Sequence, residues 1–296
     1  MGVGLLVAGA LLAAACGGDD DDDADAAAEG DAGAAQGAAD AATSCDRGSL
    51  TLVNEGQLTV GTDSPAFEPW FVDDDPSNGQ GFESAVTYAV ADELGFSADE
   101  VTWTVVPFNN AFAPGEKDFD FAIEQVSITE ERAQAVDFSD GYYDVNQAIV
   151  GFSDSPAADA TTVSELKGLK LGAQVGTTSL DFINQVIQPE QEASVYNDTS
   201  AAKAAFDAGQ LDGLVLDLPT AFFVAAVEIE GAEVIGQFPS VGDDPEQFGM
   251  VFEKGNPLRD CVNEALSSLR DSGQLEAIEQ EWLSESTNAP VISLDE

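Results

Sequence analysis

The sequence predicts an α/β fold made of two successive αβ series, and three observations predict it. From about residue 50, short apolar runs of strand length alternate with stretches of helical spacing, the pattern of sheets covered by helices. The alternation begins again near Thr162, so the chain carries two such units. Hydrophobic residues make up 44% of the 296 residues, enough for one large domain or two lobes with their own cores.

Leu58-Thr59-Val60-Gly61 reads as the first strand and ends in the turn-rich Thr62-Asp63-Ser64-Pro65. Ala85, Tyr88, Ala89 and Leu94 follow at helical spacing, and Gly95 stops that helix. Val101 to Val105 alternates as a second strand, Phe119 to Ile123 gives a third and Ala148-Ile149-Val150 a fourth. In the second series Ser164-Glu165-Leu166 starts a short helix and Leu169 to Val175 alternates as a strand. Gly176-Thr177-Thr178-Ser179 then turns into a helix through Ile187. Ala201 to Ala208 is helical, and Leu214-Val215-Leu216 is a buried strand ending at Asp217. Leu258, Val262, Ala265, Leu266 and Leu269 mark the face of one closing helix, and Leu275, Ile278 and Trp282 that of the next, with Gly273 between them. Two αβ units place a cleft between them, at the carboxyl ends of the strands.

Composition excludes much. Nine Lys plus Arg against 56 Asp plus Glu give a formal charge of -47. Such a surface repels phosphate backbones and anionic lipid, so no nucleic acid partner is expected. Solubility or a salty habitat accounts for the acidity. With no histidine there is no Ser-His-Asp triad, no Cys-His pair and no His metal ligand. Cys-x-x-Cys and the phosphate-cradling Gly-Lys-Ser/Thr loop are absent from the sequence as well. Asp73, Asp74 and Asp75 near Glu83 suggest a calcium loop, but Asn78 stands where its sharp turn needs glycine, and a solvated turn is expected instead. Neither a cofactor nor a metal is expected.

Val3 to Ala15 is an apolar run too short to span a bilayer but suited to the core of a signal peptide. Leu11-Leu12-Ala13-Ala14-Ala15-Cys16 resembles a bacterial lipobox, with the leucine one place early, which implies a lipidated Cys16 on the outer face of the cell membrane. Residues 17–44 are almost wholly Gly, Ala and acidic, and read as a disordered tether. Cys45 and Cys261 remain. In an exported protein such a pair is usually bridged, which in the chain-entropy model stabilises by roughly 4–5 kcal/mol; two free buried thiols are the alternative.

Three positions suggest a ligand clamp. Arg132 is one of only four arginines and follows a strand, and its guanidinium fork matches a carboxylate. A surface arginine paired with a nearby acid is the alternative. Gly176-Thr177-Thr178 opens a helix whose amides and two hydroxyls suit the same anion, or form a plain N-cap. Asp217 ends an apolar strand, where its carboxylate suits an ammonium or caps Thr220. Together they describe a clamp for an α-amino acid, with Phe108 and Phe67 as candidate aromatic walls or core residues.

Stretches from residue 50 to 285 resemble the polar amino-acid solute-binding proteins of extracellular family 3, the receptors of ABC importers. They are Gln57 to Asp63, Gly81-Phe82-Glu83, Ser127 to Arg132 with Asp137-Phe138-Ser139 and Tyr142-Tyr143, Leu169 to Thr178, Gly209 to Gly213, and the closing helices to Trp282-Leu283. The resemblance implies a two-lobed periplasmic-binding-protein-like fold of type II. Its crossovers fall near Gln147 and Val241, with lobe 1 over 45–147 and 241–288, lobe 2 over 148–240, and a tail over 289–296. It places the carboxylate-binding arginine on Arg132, a neighbouring hydroxyl on Ser127, the second-lobe anchor on Thr178, the ammonium-binding acid on Asp217 and the ring-stacking position near Phe108. Ser64 replaces an aromatic common after the first strand, which leaves Phe67 or Trp70 to substitute. Glu124-Gln125 stands where small hydroxyl residues are common. Glu124 and Asp63 then face the ligand's side chain, which suits a cationic or amide ligand rather than an acidic one. The implied protein is a monomeric receptor, with importer membrane subunits as partners and the membrane reached only through the lipid. An enzyme on the same scaffold, dehydratase-like with Glu124 or Asp63 as general acid, and a freestanding sensor are the alternatives.

Overall fold

In a computed structural model, residues 44–242, 244–283 and 289–294 are described. Cys16, the signal segment and the tether up to residue 43 lie outside them. The first series runs β1 (Leu58–Thr62), α1 (Phe82–Glu93), β2 (Val101–Val105), α2 (Phe108–Ala111), β3 (Phe121–Ala122) and β4 (Asp137–Phe138). After β5 (Tyr143–Val145) come β6 (Gln147–Phe152), β7 (Leu171–Gln174), α3 (Thr178–Phe182), β8 (Ser194–Tyr196), α4 (Thr199–Asp207) and β9 (Gly213–Asp217). The chain continues through α5 (Leu218–Phe223), β10 (Ala232–Gln237), β11 (Glu246–Phe248), β12 (Val251–Phe252), α6 (Leu258–Asp271) and α7 (Gln274–Leu283).

Two five-stranded sheets result, one for each lobe. The first has the order β2-β1-β3-β12-β4, with β1 parallel to β2 and β3 and with β12 antiparallel to its neighbours. The second has the order β10-β6-β9-β7-β8, with β7 parallel to β8 and β9 and with β6 antiparallel to β9 and β10. Between the sheets the chain passes outward at Asn146 and returns between β10 and β11, and β5 pairs antiparallel with β11 beside these crossovers.

The central strands lie covered on both faces, which is why they read as apolar runs. Alternate side chains of β6 and β9 enter different clusters: Ile149 and Val215 pack with Phe182 and Ile183, whereas Ala148, Val150, Leu214 and Leu216 pack with Phe206 and Val224. In the first lobe Leu58 and Val60 pack with Phe82, Val86 and Val90 of α1 and with Val262, Leu266 and Leu269 of α6. Gly81, which precedes α1, has φ 96 and stands where a Cβ would lie 2.4 Å from the carbonyl oxygen of Trp70. Cys45 and Cys261 form a disulfide that ties the segment before β1 to α6. The three aspartates before α1 form a turn: Asp75 accepts from the amide of Ser77 and Asp74 from that of Ala66.

Residues 289–294, expected only as a tail, lie against the second lobe. Val291 bridges Gln237 at the end of β10, Ser293 bridges Thr162, and Ile292 is fully buried. Helix α7 packs in the first lobe on α1 and α6, so the chain end is a further tie between lobes. Ile292→Ala should lower the unfolding free energy by about 2–5 kcal/mol, measured by urea denaturation. An unchanged midpoint would show that the segment does not pack.

Candidate functional site

Facing loops from the two sheets enclose a cavity of ≈ 70 Å³. Asp63 follows β1, Phe108 opens α2, and Glu124, Gln125 and Ser127 follow β3. From the second lobe, Thr177 and Thr178 follow β7 and Asp217 ends β9. These are the carboxyl ends of parallel strands, where side chains project from a rigid sheet edge. The structure brings Asp63, Phe67, Phe108, Glu124, Gln125, Ser127, Arg132, Thr177, Thr178 and Asp217 together around this cavity. Gln147, Gln174 and Thr199, which the sequence reading did not single out as ligand contacts, line it too. Trp70 is corrected: it is fully buried, stacks edge-on against Phe82, Tyr143 and Phe248, and leaves the aromatic wall to Phe67.

Arg132 does more than face the cavity. One guanidinium nitrogen donates to the carbonyl of Ser127 at 2.6 Å and the other crosses to the carbonyl of Gly176 in the second lobe at 2.8 Å. The rings of Phe112 and Phe108 lie 4.4 and 5.7 Å from its central carbon. Burial opposes its charge, while Glu246, Asp181 and Glu131 favour it. Gly176, at φ 78, allows the approach, because a Cβ there would sit 2.1 Å from Oδ1 of Asn109 in the first lobe. Asn109 donates to the carbonyl of Val175 at 3.3 Å, and the indole of Trp70 donates to the hydroxyl of Thr220 at 2.8 Å, so the lobes meet on both sides of the cavity.

At two positions the structure realises the capping alternative. Thr177 accepts from the amide of Leu180 at 3.2 Å and donates to the carbonyl of Gln174 at 2.8 Å, which commits its hydroxyl to the turn. Asp217 caps α5 through Oδ1, which accepts from the amide of Thr220 at 3.1 Å, and still lines the cavity. Gln125 is held at φ 54, with its amide and side chain donating to Glu83. Glu83 also accepts from the hydroxyl of Tyr142, and burial pushes its carboxyl up to about 7. Glu83 was visible in the sequence in Gly81-Phe82-Glu83 and as a neighbour of the three aspartates, with nothing to mark it as the brace of Gln125.

The electrostatics of the cavity are unbalanced. Asp63, Glu124 and Asp217 line it against Arg132. Asp63 accepts from the amides of Ser64 and Phe108 at 2.7 and 3.3 Å. Glu124 is 3% exposed, and neither of its carboxylate oxygens has a hydrogen-bond partner among the described residues. Burial, with Asp63 and Glu83 nearby, pushes its carboxyl well up, with the backbone amide of Asp63 opposing only in part, and burial raises Asp217 to about 6. Phe67 closes the outer wall beneath Lys203, whose Nζ lies 4.2 Å from the ring centroid and pairs with Glu228 at 2.8 Å.

Residues 58–285 match the model of the bacterial extracellular solute-binding proteins, family 3. The chain is 27% identical over 241 residues to the L-cystine-binding protein TcyJ of Escherichia coli (strain K12), covering 80% of this chain and 86% of that one. It is 28% identical over 239 residues to the arginine-binding extracellular protein ArtP of Bacillus subtilis (strain 168), covering 76% and 86%. An ancestral arginine-binding protein bound to glutamine superposes with a TM-score of 0.64 at 28% identity, covering 78% of this chain and 99% of that one.

Glu83 and Asp217 hold their protons more tightly in the folded than in the unfolded chain. Their contribution to stability is therefore complete below the ordinary carboxylate range and is lost as pH rises through about 6 to 7. The unfolding free energy of the free protein should fall over that rise, and Glu83→Gln should flatten the fall. Urea titrations at several pH values check this, and an equal slope in the variant would contradict it.

Proposed function

The chain belongs to the bacterial extracellular solute-binding proteins of family 3, and on that footing we propose that it is an extracytoplasmic amino-acid receptor whose ligand carries a cationic side chain. One observation carries the ligand class: three cavity carboxylates face one guanidinium, and neither carboxylate oxygen of the buried Glu124 completes a hydrogen bond among the described residues. A zwitterionic backbone satisfies Arg132 with its carboxylate and Asp217 with its ammonium. Asp63 and Glu124 are then left side by side in a buried site, where ionising both costs free energy and a proton stays on Glu124 until a cation arrives. A guanidinium or ammonium on the ligand neutralises them, and an acidic side chain would add a further buried charge. That one relative is named for arginine, and that an ancestral arginine-binding protein is bound to glutamine, supports a basic or amide-bearing side chain.

Closure follows from the same geometry. The first lobe supplies Arg132, Asp63 and Glu124, and the second supplies Thr178 and Asp217, so a ligand gains its full set of contacts only when the lobes meet. The closed form is what the membrane subunits of an ABC importer would recognise, with Cys16 as the lipid anchor. The lobe boundaries near Gln147 and Val241 belong to this reading.

Native mass spectrometry of the protein against the common amino acids tests it. A basic amino acid should bind most tightly, raise the melting temperature and be recovered unchanged. Preferred binding of glutamate or aspartate would overturn the ligand class, and consumption of the ligand would move the reading to an enzyme.

A further inference from the structure

The contacts that hold the lobes together beside the cavity converge on a carboxylate that does not line it. Glu246 is the first residue of β11, where the chain returns to the first lobe, and it pairs with Val145 across the crossover. Its Oε1 accepts the hydroxyl of Ser127 at 2.5 Å, and its Oε2 accepts Nε2 of Gln147 at 3.1 Å. Gln147 opens β6, where the chain enters the second lobe. Its amide has a fixed orientation, because Oε1 accepts the hydroxyl of Ser179 at 2.6 Å while Nε2 reaches Glu246 and, at 3.3 Å, Oγ1 of Thr178. Both crossovers therefore end in side chains of one network.

Proton bookkeeping gives the network a direction. A serine hydroxyl has a single proton to donate, and that of Ser127 goes to Glu246. In the 3.2 Å contact between Ser127 and Thr178, the donor is then Thr178. The hydroxyl protons run from Thr178 in the second lobe, through Ser127 in the first, to the carboxylate at the return crossover. Separating the lobes parts Thr178 from Ser127 and breaks this run of hydroxyl protons to Glu246.

We propose that Glu246 is a positioning residue that locks the lobes closed and sets the direction of the Ser127 and Thr178 hydroxyls without touching the ligand. Those hydroxyls then turn lone pairs, not protons, towards the cavity. The ligand carboxylate depends on Arg132 and backbone amides, while Ser127 and Thr178 favour its ammonium. The purpose of the lock rests on the receptor reading above.

Glu246→Ala and the milder Glu246→Gln test it by two readouts. Titration calorimetry with L-arginine, L-lysine and L-glutamine should show every ligand that the wild type binds weakened by one common factor, about tenfold for Glu246→Ala and less for Glu246→Gln. Small-angle X-ray scattering of the free full-length chain should show a larger radius of gyration for the alanine variant, with circular dichroism unchanged. A loss confined to one ligand would show that Glu246 touches the ligand and would overturn the proposal. An unchanged radius in a folded Glu246→Ala or Glu246→Gln protein would overturn the lock. If no amino acid binds the wild type, the receptor reading fails, and the scattering comparison still judges the lock by itself.

Discussion

Everything in this cleft is arranged around one electrostatic constraint: carboxylates held in a closed space with too little positive charge to match them. Asp63, Glu124 and Asp217 meet Arg132 across a small cavity, where burial raises all three carboxyls. In bulk water such neighbours would be screened, but partly buried in a cleft they repel one another more strongly. The protein meets part of the constraint internally. Backbone amides satisfy Asp63, and the cap of α5 satisfies one oxygen of Asp217. At Glu124 the backbone amide of Asp63 only partly offsets burial, and neither carboxylate oxygen completes a hydrogen bond among the described residues. A native structure rarely leaves a buried carboxylate in that condition, which is why the missing partner is read as belonging to the ligand.

The same scarcity of positive charge explains why Arg132 carries so many duties. It braces the carbonyl of Ser127 in its own lobe, reaches the carbonyl of Gly176 in the other, and stacks on Phe108 and Phe112. A contact between the lobes and the lining of the cavity thus share a side chain. Gly176 matters for a separate reason, since a Cβ there would collide with Oδ1 of Asn109 in the facing lobe.

Much of this was legible in the sequence. The strands at Leu58 and Leu214 were readable as buried apolar runs, those at Val101 and Leu169 by their alternation, and the closing helices because α6 buries the face predicted for it. The site residues were readable because they follow those strands. Strands β4, β11 and β12 were not, because they are two or three residues long and exist only through pairing with distant partners. The braces were hidden for a related reason. Glu83 lies 42 residues from Gln125, and Glu246 lies 119 from Ser127, so no local pattern connects them. Ile292 sits in a polar-flanked terminal stretch without periodicity, and only the groove beside β10 makes it a core residue.

The central claim is that Glu124 waits for a cation, and its most direct test compares L-arginine with L-citrulline, which has the same length and no charge. Binding affinities of both are measured for the wild type and for Glu124→Gln, which keeps the shape of the side chain and removes its charge. The account predicts that the wild type prefers arginine and that the variant loses this preference by about tenfold or more. An arginine-to-citrulline ratio that is the same in both proteins would contradict it.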